Sequence, residues 1–424
     1  MANSGAPLSW LGRISSRLSG FQGVGSLGAV HVLVLACGLG ANVVWTRFMS
    51  QETFGAFKVV LSFINVVSAF CLMGASQVAT MSAARDADGN LLPLLRTKLL
   101  VNLAGAAVVL GGALYYTAVS PELTGVGRGL FAAAVLFVLY NTSDLWTSWL
   151  NGKSRFSELA LGRITTSLLA LASILLLSMA GVNDLAIIVF LHLTVLGLQN
   201  LYMLRRALQL RSNDNVDAEI IALGRHANYA MMVGSLLSFD MILVGHFHSS
   251  NVVAIYAVAL IFPEQIKALF SIVGQVLAPR MYQAKSLDQM WSGLRGDFIL
   301  LTLGFITLGV VGFFLLPVVT SLLFSSKYAE AANHGKWLWL AIASLGSTSY
   351  LGGALTARHK VVAIYASSIA YPMLLLGLYF AWIGDGVSGM VTARVQATVA
   401  LAAFYVAAFA YYLTQERRQN SERP

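Results

Sequence analysis

Polar and charged side chains recur at helical spacing inside the long apolar segments of this 424-residue sequence. Lys58, Ser62 and Asn65 are spaced so that they share one face of a helix. A later segment repeats the pattern with Glu264, Lys267, Ser271 and Gln275. A charged side chain costs about 2.5–3.5 kcal/mol to insert at the centre of a membrane. Clustering on one helix face therefore predicts a water-filled interior that binds a polar or charged ligand.

Two sets of candidate residues follow from these patterns. The residues predicted to bind the ligand of this interior are Arg47, Lys58, Asn65, Arg163, Lys267 and Arg394. The residues predicted to couple ions or to line the interior are His31, Asp144, Asp240, Glu264 and Gln275. Asp144 belongs to a third polar stripe, with Asn141, Ser148 and Asn151. His31 shares a face of the first segment with Asn42.

Several of these residues also have a purely structural interpretation. Lys58 lies about one turn inside its segment and can extend its ammonium to the lipid headgroups, as Arg163 can. Glu264 and Lys267 are three residues apart and can neutralise each other. His31 can form a hydrogen bond within a helix bundle instead of carrying a proton. The sequence leaves these alternatives open.

The composition indicates a membrane protein. Hydrophobic residues make up 57% of the chain and charged residues 11%, and a water-soluble domain would expose too much of that apolar surface. A spanning helix needs about 20 mostly apolar residues. The sequence contains roughly twelve such windows, near 24–46, 54–79, 99–119, 129–150, 159–180, 185–204, 227–247, 252–277, 298–323, 336–357, 361–383 and 388–413. We therefore predict an all-α polytopic membrane protein with about twelve spanning helices.

The remaining segments predict neither a metal site nor a cofactor. Cys37 and Cys71 both lie in predicted helices, with no C-x-x-C pair. At the N-terminus, Trp10, Ile14 and Leu18 share one face, which predicts a short helix on the membrane surface.

The distribution of Lys and Arg predicts the orientation. With the N-terminus placed inside the cell, roughly 20 of the 27 basic residues fall in the tails or in the even-numbered loops. The loop between the second and third windows contributes Arg85, Arg96 and Lys98. Both termini are therefore predicted to be cytoplasmic. The net charge of +9 reflects this topology and an affinity for acidic lipid, and it is not evidence for nucleic-acid binding.

The two halves of the chain resemble each other. FGAFKVVLSF at 54–63 matches VAIYAVALIF at 253–262, a shift of about 199 residues that continues along the helix. LNGKSRF at 150–156 is similarly echoed by LTARHKV at 355–361. We therefore predict two pseudo-symmetric six-helix lobes around a central cavity, an N-terminal lobe at 1–208 and a C-terminal lobe at 209–424.

Four stretches resemble the polysaccharide repeat-unit flippases, the Wzx-like branch of the multidrug/oligosaccharidyl-lipid/polysaccharide (MOP) exporter superfamily. They lie at 46–86, 146–177, 239–285 and 351–371, and the likeness covers nearly the whole chain. The resemblance implies a flippase that carries an oligosaccharide linked to undecaprenyl diphosphate across a bacterial inner membrane. It also implies contact with membrane lipids and with the polysaccharide polymerase and chain-length machinery.

Rival functions are distinguished by particular features. A proton- or sodium-coupled drug antiporter of the same superfamily predicts a dominant acidic site, and the related antiporters carry an acidic residue in the first helix. The first window here carries His31 and no acidic residue, and the basic residues inside the predicted membrane segments outnumber or match the acids. The lipid II flippases usually carry two more helices than the twelve predicted here. A glycan polymerase or acyltransferase needs a positioned base or nucleophile, often on a large outer loop, and the predicted outer loops are short. A scaffolding protein would not need matched polar stripes. We therefore expect a transporter and not an enzyme.

Overall fold

Serine and aspartate side chains start several helices of the chain. Ser50 accepts a hydrogen bond from the backbone N–H of Thr53 at 3.0 Å, and Asp184 accepts one from Ala186 at 2.9 Å. These side chains satisfy backbone donors that the first helical turn leaves unpaired.

The computed structural model describes residues 22–71, 74–119, 124–221, 232, 235–284, 286–358 and 360–421. The predicted surface helix around Trp10 lies outside the described residues.

The described residues are almost entirely helical and contain no strand. The helices are α1 (Gln22–Phe48), α2 (Gln51–Phe70), α3 (Ala75–Ala84), α4 (Leu91–Val119), α5 (Thr124–Tyr140), α6 (Ser143–Gly152), α7 (Phe156–Met179), α8 (Leu185–Gln209), α9 (Asp240–Phe247), α10 (Ser250–Gln283), α11 (Leu287–Leu323), α12 (Ala329–Ala357), α13 (Val361–Tyr365), α14 (Tyr371–Trp382) and α15 (Gly386–Ser421). Short 3₁₀ turns lie at Asp88–Asn90, Ser235–Ser238, Ser326–Tyr328 and Ile383–Asp385, and a π-helical turn lies at Ala366–Ala370.

Eight stretches of the described residues are long and apolar enough to span a membrane. They are Gln51–Phe70, Asp88–Val119, Thr124–Gly152, Phe156–Met179, Leu185–Gln209, Leu287–Leu323, Ser326–Ala357 and Ala366–Gln419. The last stretch contains most of the two final predicted windows, and Val32–Phe48 forms a further, shorter apolar helix. Much of the predicted window at 227–247 lies outside the described residues. The chain is a multi-pass, all-α membrane protein, as the sequence predicted.

Three of the predicted windows each contain an interruption of the α-helix. The window at 54–79 divides between α2 and α3, and the window at 129–150 divides between α5 and α6. The window at 361–383 contains the π-helical turn between α13 and α14. An interrupted helix leaves backbone groups that other elements must satisfy inside a membrane.

The repeat is visible in the register of the helices. α2 begins at Gln51 and α10 begins 199 residues later at Ser250. The two helices cross closely, because a Cβ on Gly55 would lie 1.7 Å from the Ser250 carbonyl oxygen. Glycine is therefore required at this crossing. The division into two lobes at 208/209 falls at the end of α8 and stays a prediction.

The hydrophobic cores of the two ends differ. One large core contains residues from both halves of the chain, among them Trp45, Phe54, Tyr256 and Tyr328. We call the end of the bundle near Met49 and Tyr328 the closed end. At the opposite end, one core draws only on residues 75–207 and another only on residues 277–409. We call this the split end, and the C-terminal end of α15 lies there.

The closed end is held by cations from each half. Arg47 donates hydrogen bonds to the carbonyl oxygens of Leu322 and Leu323, each at 2.9 Å, at the C-terminal end of α11. In the opposite sense, the Lys327 ammonium donates to the Met49 carbonyl oxygen at 2.7 Å, just beyond α1. Cations near helix C-termini are stabilised by the helix dipole. These cross-half contacts join the two halves where the shared core lies.

Candidate substrate cavity

A cavity of about 530 Å³ lies between α2 and α10, where the two halves of the chain meet. Its polar and charged lining residues are Asn42, Lys58, Ser62, Asn65, Ser238, Asp240, Glu264, Gln265, Lys267 and Arg394. Six of the predicted site residues are among them. The two polar stripes recognised in the sequence, on α2 and on α10, therefore border one space.

Arg394 is the centre of an ion network on the α9, α10 and α15 side of the cavity. Its Nη1 donates to Asp240 Oδ2 at 2.6 Å, and its Nη2 donates to Glu264 Oε1 at 2.7 Å. The Lys267 ammonium also donates to Glu264 Oε1, at 2.7 Å. Arg394 and Asp240 are buried, whereas Glu264 and Lys267 are partly exposed to the cavity. The guanidinium fork therefore bridges both carboxylates of the lining.

Two tyrosines complete the network below the surface of the cavity. Tyr256 donates from its hydroxyl to Asp240 Oδ2 at 3.0 Å, and its oxygen lies 3.5 Å from the hydroxyl of Tyr379. Asp240 begins α9 and also accepts from the backbone N–H of Met241 at 2.8 Å. A carboxylate at a helix N-terminus is favoured by the helix dipole. Hydrogen bonds and charge thus compensate the burial of this acid.

Lys58 faces the network from α2. Its ammonium donates to Asn42 Oδ1 on α1 at 2.8 Å and lies 5.1 Å from the centre of the Phe54 ring. Among the described residues no carboxylate forms an ion pair with it. The structure therefore directs Lys58 into the cavity, bonded to a neutral amide, and not towards a lipid headgroup.

The charges of the lining do not cancel. Lys58, Lys267 and Arg394 are cationic, and Asp240 and Glu264 are the carboxylates of the lining. The described lining therefore carries one positive charge in excess. A low-dielectric cavity with such an excess favours an anionic ligand.

Of the other predicted site residues, three lie outside the central cavity, and the structure does not describe the side chains of the remaining two. Arg47 belongs to the cross-half contacts of the closed end, and Arg163 is an exposed residue of α7. Asp144 pairs with Lys98 instead of facing the cavity. His31 and Gln275 lie on α1 and α10, but their side chains are outside the described part of the chain.

Lys98 and Asn102 of α4 satisfy the two interrupted helices of the N-terminal half. The Lys98 ammonium, only 1% exposed, donates to the Cys71 carbonyl oxygen at 2.8 Å and pairs with Asp144 at 2.9 Å. One turn later, Asn102 donates to the Asn141 carbonyl oxygen at 3.1 Å. Both interruptions therefore lie at the level of one helical turn of α4. Lys98 is buried and does not belong to a solvated loop, which corrects its assignment among the loop residues.

Sequence reasoning missed Tyr256 and Tyr379 as members of the network. Tyr256 lies eight residues before Glu264, which places it about two turns away on the same helix face. That spacing could have identified it. Tyr379 lies in an apolar segment whose pattern carries no such signal.

Comparison with known proteins identifies the fold. No family model and no curated protein matches the sequence. Solved structures do match. The lipid II flippase MurJ in an inward closed conformation is 14% identical, with a TM-score of 0.73 over 90% of this chain and 86% of that chain. A multidrug resistance MATE family transporter of the MOP superfamily, in an inward-facing conformation, is 11% identical, with a TM-score of 0.68 over 90% and 95% of the two chains.

A third neighbour widens the range of functions. It is a MOP superfamily transporter from Pyrococcus furiosus, in which the reverse polarity of the binding pocket is reported to suggest a different function. It is 12% identical, with a TM-score of 0.59 over 92% of this chain and 95% of that chain. Identities this low show the fold alone. The chain thus has the fold seen in these MOP superfamily transporters, and the likeness does not distinguish the repeat-unit branch from the others.

Proposed function

We propose that this protein is a flippase of the MOP superfamily that translocates an anionic lipid-linked oligosaccharide by alternating access. The observation that carries the proposal is the excess of positive charge in a cavity between the two halves, where Lys58 has only an amide and an aromatic ring as partners among the described residues. A diphosphate cannot cross hydrocarbon unaided. Lys58 and Lys267 would replace water around it, and Asn42, Asn65 and Gln265 would bond sugar hydroxyls.

The finer assignment follows from the resemblance of the sequence. The substrate would be an oligosaccharide repeat unit on undecaprenyl diphosphate, moved across a bacterial inner membrane for polysaccharide biosynthesis. Both termini would be cytoplasmic, so the split end would face the cytoplasm. The lipid tail would remain between the two lobes, in contact with membrane lipids, and the product would pass to the polymerising machinery.

The shape of the molecule supports this direction. The halves share a large core at the closed end, whereas at the split end two larger cores each draw on one half and a small one joins Val78 and Ala87 to Ile220, just past the predicted boundary. A cytoplasmic split end would admit the substrate before the closed end opens.

An ion-coupled antiporter is the second candidate, favoured by the two carboxylates of the lining. Both carboxylates are bonded by Arg394, however, which leaves neither free to exchange a proton or sodium ion at low cost. Transport that depends on a proton or sodium gradient and is lost in Asp240→Asn at normal protein level would favour this candidate.

The Lys58 series tests the flippase proposal. Export would be measured in a deletion strain of the host as surface polysaccharide and as accumulated lipid-linked precursor, alongside the membrane level of each variant. We expect Lys58→Arg to retain most export, Lys58→Gln to lower it and Lys58→Glu to nearly abolish it by repelling the diphosphate.

Arg163→Gln serves as the matched control, because it removes a cation from a spanning helix outside the cavity. It should export normally. Normal export by an abundant Lys58→Glu variant would refute the proposed role of the cavity.

A further inference from the structure

A second cavity, of about 460 Å³, lies between the first turns of α12 and α15, at the closed end. Its volume is in the range of about 300–1,000 Å³ that small-molecule sites occupy. Asn333, His334, Lys336 and Trp337 line it from α12, and Thr392 and Gln396 line it from α15. On α15 these two residues face away from Arg394. The helix therefore separates this cavity from the central one.

The lining residues of α15 form a polar stripe. Ser388, Thr392 and Gln396 are each four residues apart and so lie along one face. An amide and two hydroxyls on one face of a spanning helix need hydrogen-bond partners. Asn333 of α12 supplies a further amide to the same space.

The chemistry of the lining fits a hydroxylated ligand. Amide and hydroxyl groups each donate and accept hydrogen bonds, as sugar hydroxyls do, whereas an ionised phosphate mainly accepts. The indole of Trp337 is half exposed beside them and offers an apolar face with one donor. Such a combination matches a pyranose ring, which has both apolar and hydroxyl-bearing surfaces.

The charges beside the cavity do not favour an anion. The Lys336 ammonium lies 5.4 Å from the centre of the Phe313 ring. His334 Nε2 lies 3.4 Å from the carboxylate of Glu330. One cation and one nearby carboxylate thus oppose each other, in contrast to the charge excess of the central cavity.

We propose that this second cavity is a saccharide-binding site. The inference rests on the proposed function, since the saccharide would be the glycan of the substrate as it leaves towards the closed end. Once the glycan has left the amides of the central cavity, that cavity would still hold the diphosphate, and α15 would present Arg394 to one space and Thr392 and Gln396 to the other.

Photo-crosslinking in the membranes of the native host tests the site. p-Benzoylphenylalanine placed at Thr392 should capture a sugar-bearing species, identified by mass spectrometry of the attached peptide. The same probe at Trp337 checks the result with a second, more exposed position. Val399 is the matched control, because it lies two turns further along the same face of α15, is exposed and does not line the cavity.

A probe at Leu61, in the central cavity, separates the two proposals. Capture of a sugar-bearing species at Thr392 or Trp337 but not at Val399 supports the saccharide site. With the probe at Trp337, Gln396→Leu should lower capture about two- to tenfold, as expected for one lost hydrogen bond. If sugar is captured at Leu61 alone, the saccharide site is overturned and the flippase proposal stands. The same holds if the probes at Trp337 and Thr392 capture phospholipid alone while Leu61 captures sugar. No sugar at any position overturns this inference and the flippase proposal together.

Discussion

Replacing Arg394 should destabilise this protein much more than replacing an exposed arginine of similar geometry. In Arg394→Met the guanidinium that bridges Asp240 and Glu264 at 2.6 and 2.7 Å is lost. Asp240 is only 5% exposed, so its charge cannot be solvated in place. Arg417 provides the comparison, since it pairs with Asp288 at 2.7 Å but the two side chains are 55% and 41% exposed.

The structure sets the expected magnitude. Removing one partner of a buried ion pair costs about 3–5 kcal/mol, because a buried charge remains uncompensated. Asp240 keeps its hydrogen bonds from Tyr256 and the Met241 backbone, and Glu264 keeps Lys267. We therefore expect a loss near the lower limit, about 3 kcal/mol. Arg417→Met should cost between 0 and about 1 kcal/mol, as exposed pairs do.

A double-mutant cycle identifies the cause. Asp240→Asn removes the charge that Arg394→Met leaves unpaired, so the double variant should be more stable than the sum of the two single effects predicts. Close charge pairs have coupling energies of about 1.5–7 kcal/mol, and we expect at least the lower value here. Reversible unfolding in mixed detergent micelles would measure the free energies.

Two outcomes would refute this reasoning. One is a loss in Arg394→Met no larger than that in Arg417→Met. The other is an additive cycle between Arg394 and Asp240, which would mean that the observed 2.6 Å contact contributes no net coupling.

Three further predictions concern the closed end, the interrupted helices and the orientation. Arg47→Ala with Lys327→Ala should weaken the closed end by about 1–2 kcal/mol, a factor of about 5–30 in the open population. Faster labelling of a cysteine placed at the buried Ser250 would show this, and unchanged labelling would argue against it. The Lys98→Met variant should unfold at a lower denaturant concentration than the double variant Lys98→Met with Asp144→Asn, because the single change leaves the Asp144 carboxylate without its cation. Equal unfolding midpoints would contradict a stabilising role of this ion pair. A C-terminal reporter should be active in the cytoplasm, and periplasmic activity would reverse the assignment of the split end.

The sequence predicted those features that depend on local periodicity. The polar stripes of α2 and α10 follow from residue spacing alone, and the 199-residue shift between Gln51 and Ser250 follows from comparing two segments. Spacing and repeat together therefore assign Lys58, Glu264 and Lys267 to one interior, and all three line the central cavity.

The interruptions of the helices could not be predicted in this way. The end of α2 and the start of α6 carry no proline or charge run that would mark a break. These interruptions are stabilised by Lys98 and Asn102 of α4. Lys98 lies 27 residues from Cys71, and Asn102 lies 39 residues from Asn141, so neither contact follows from local spacing. The same limit explains Arg47. Its carbonyl partners lie 275 and 276 residues away, so periodicity alone gave no information about them.

Under the proposed function, the ion network would let the cavity bind an anion without leaving a buried carboxylate unpaired. Glu264 accepts hydrogen bonds from both Lys267 and Arg394. A phosphate that takes Lys267 as its donor leaves Glu264 bonded to Arg394, so no buried carboxylate loses its last cation. Among the described residues, Lys58 gives up a bond to the neutral amide of Asn42 and its contact with the Phe54 ring. Under the proposed function, the two lysines would exchange partners as a substrate enters and leaves, while Arg394 would keep its bonds to Asp240 and Glu264.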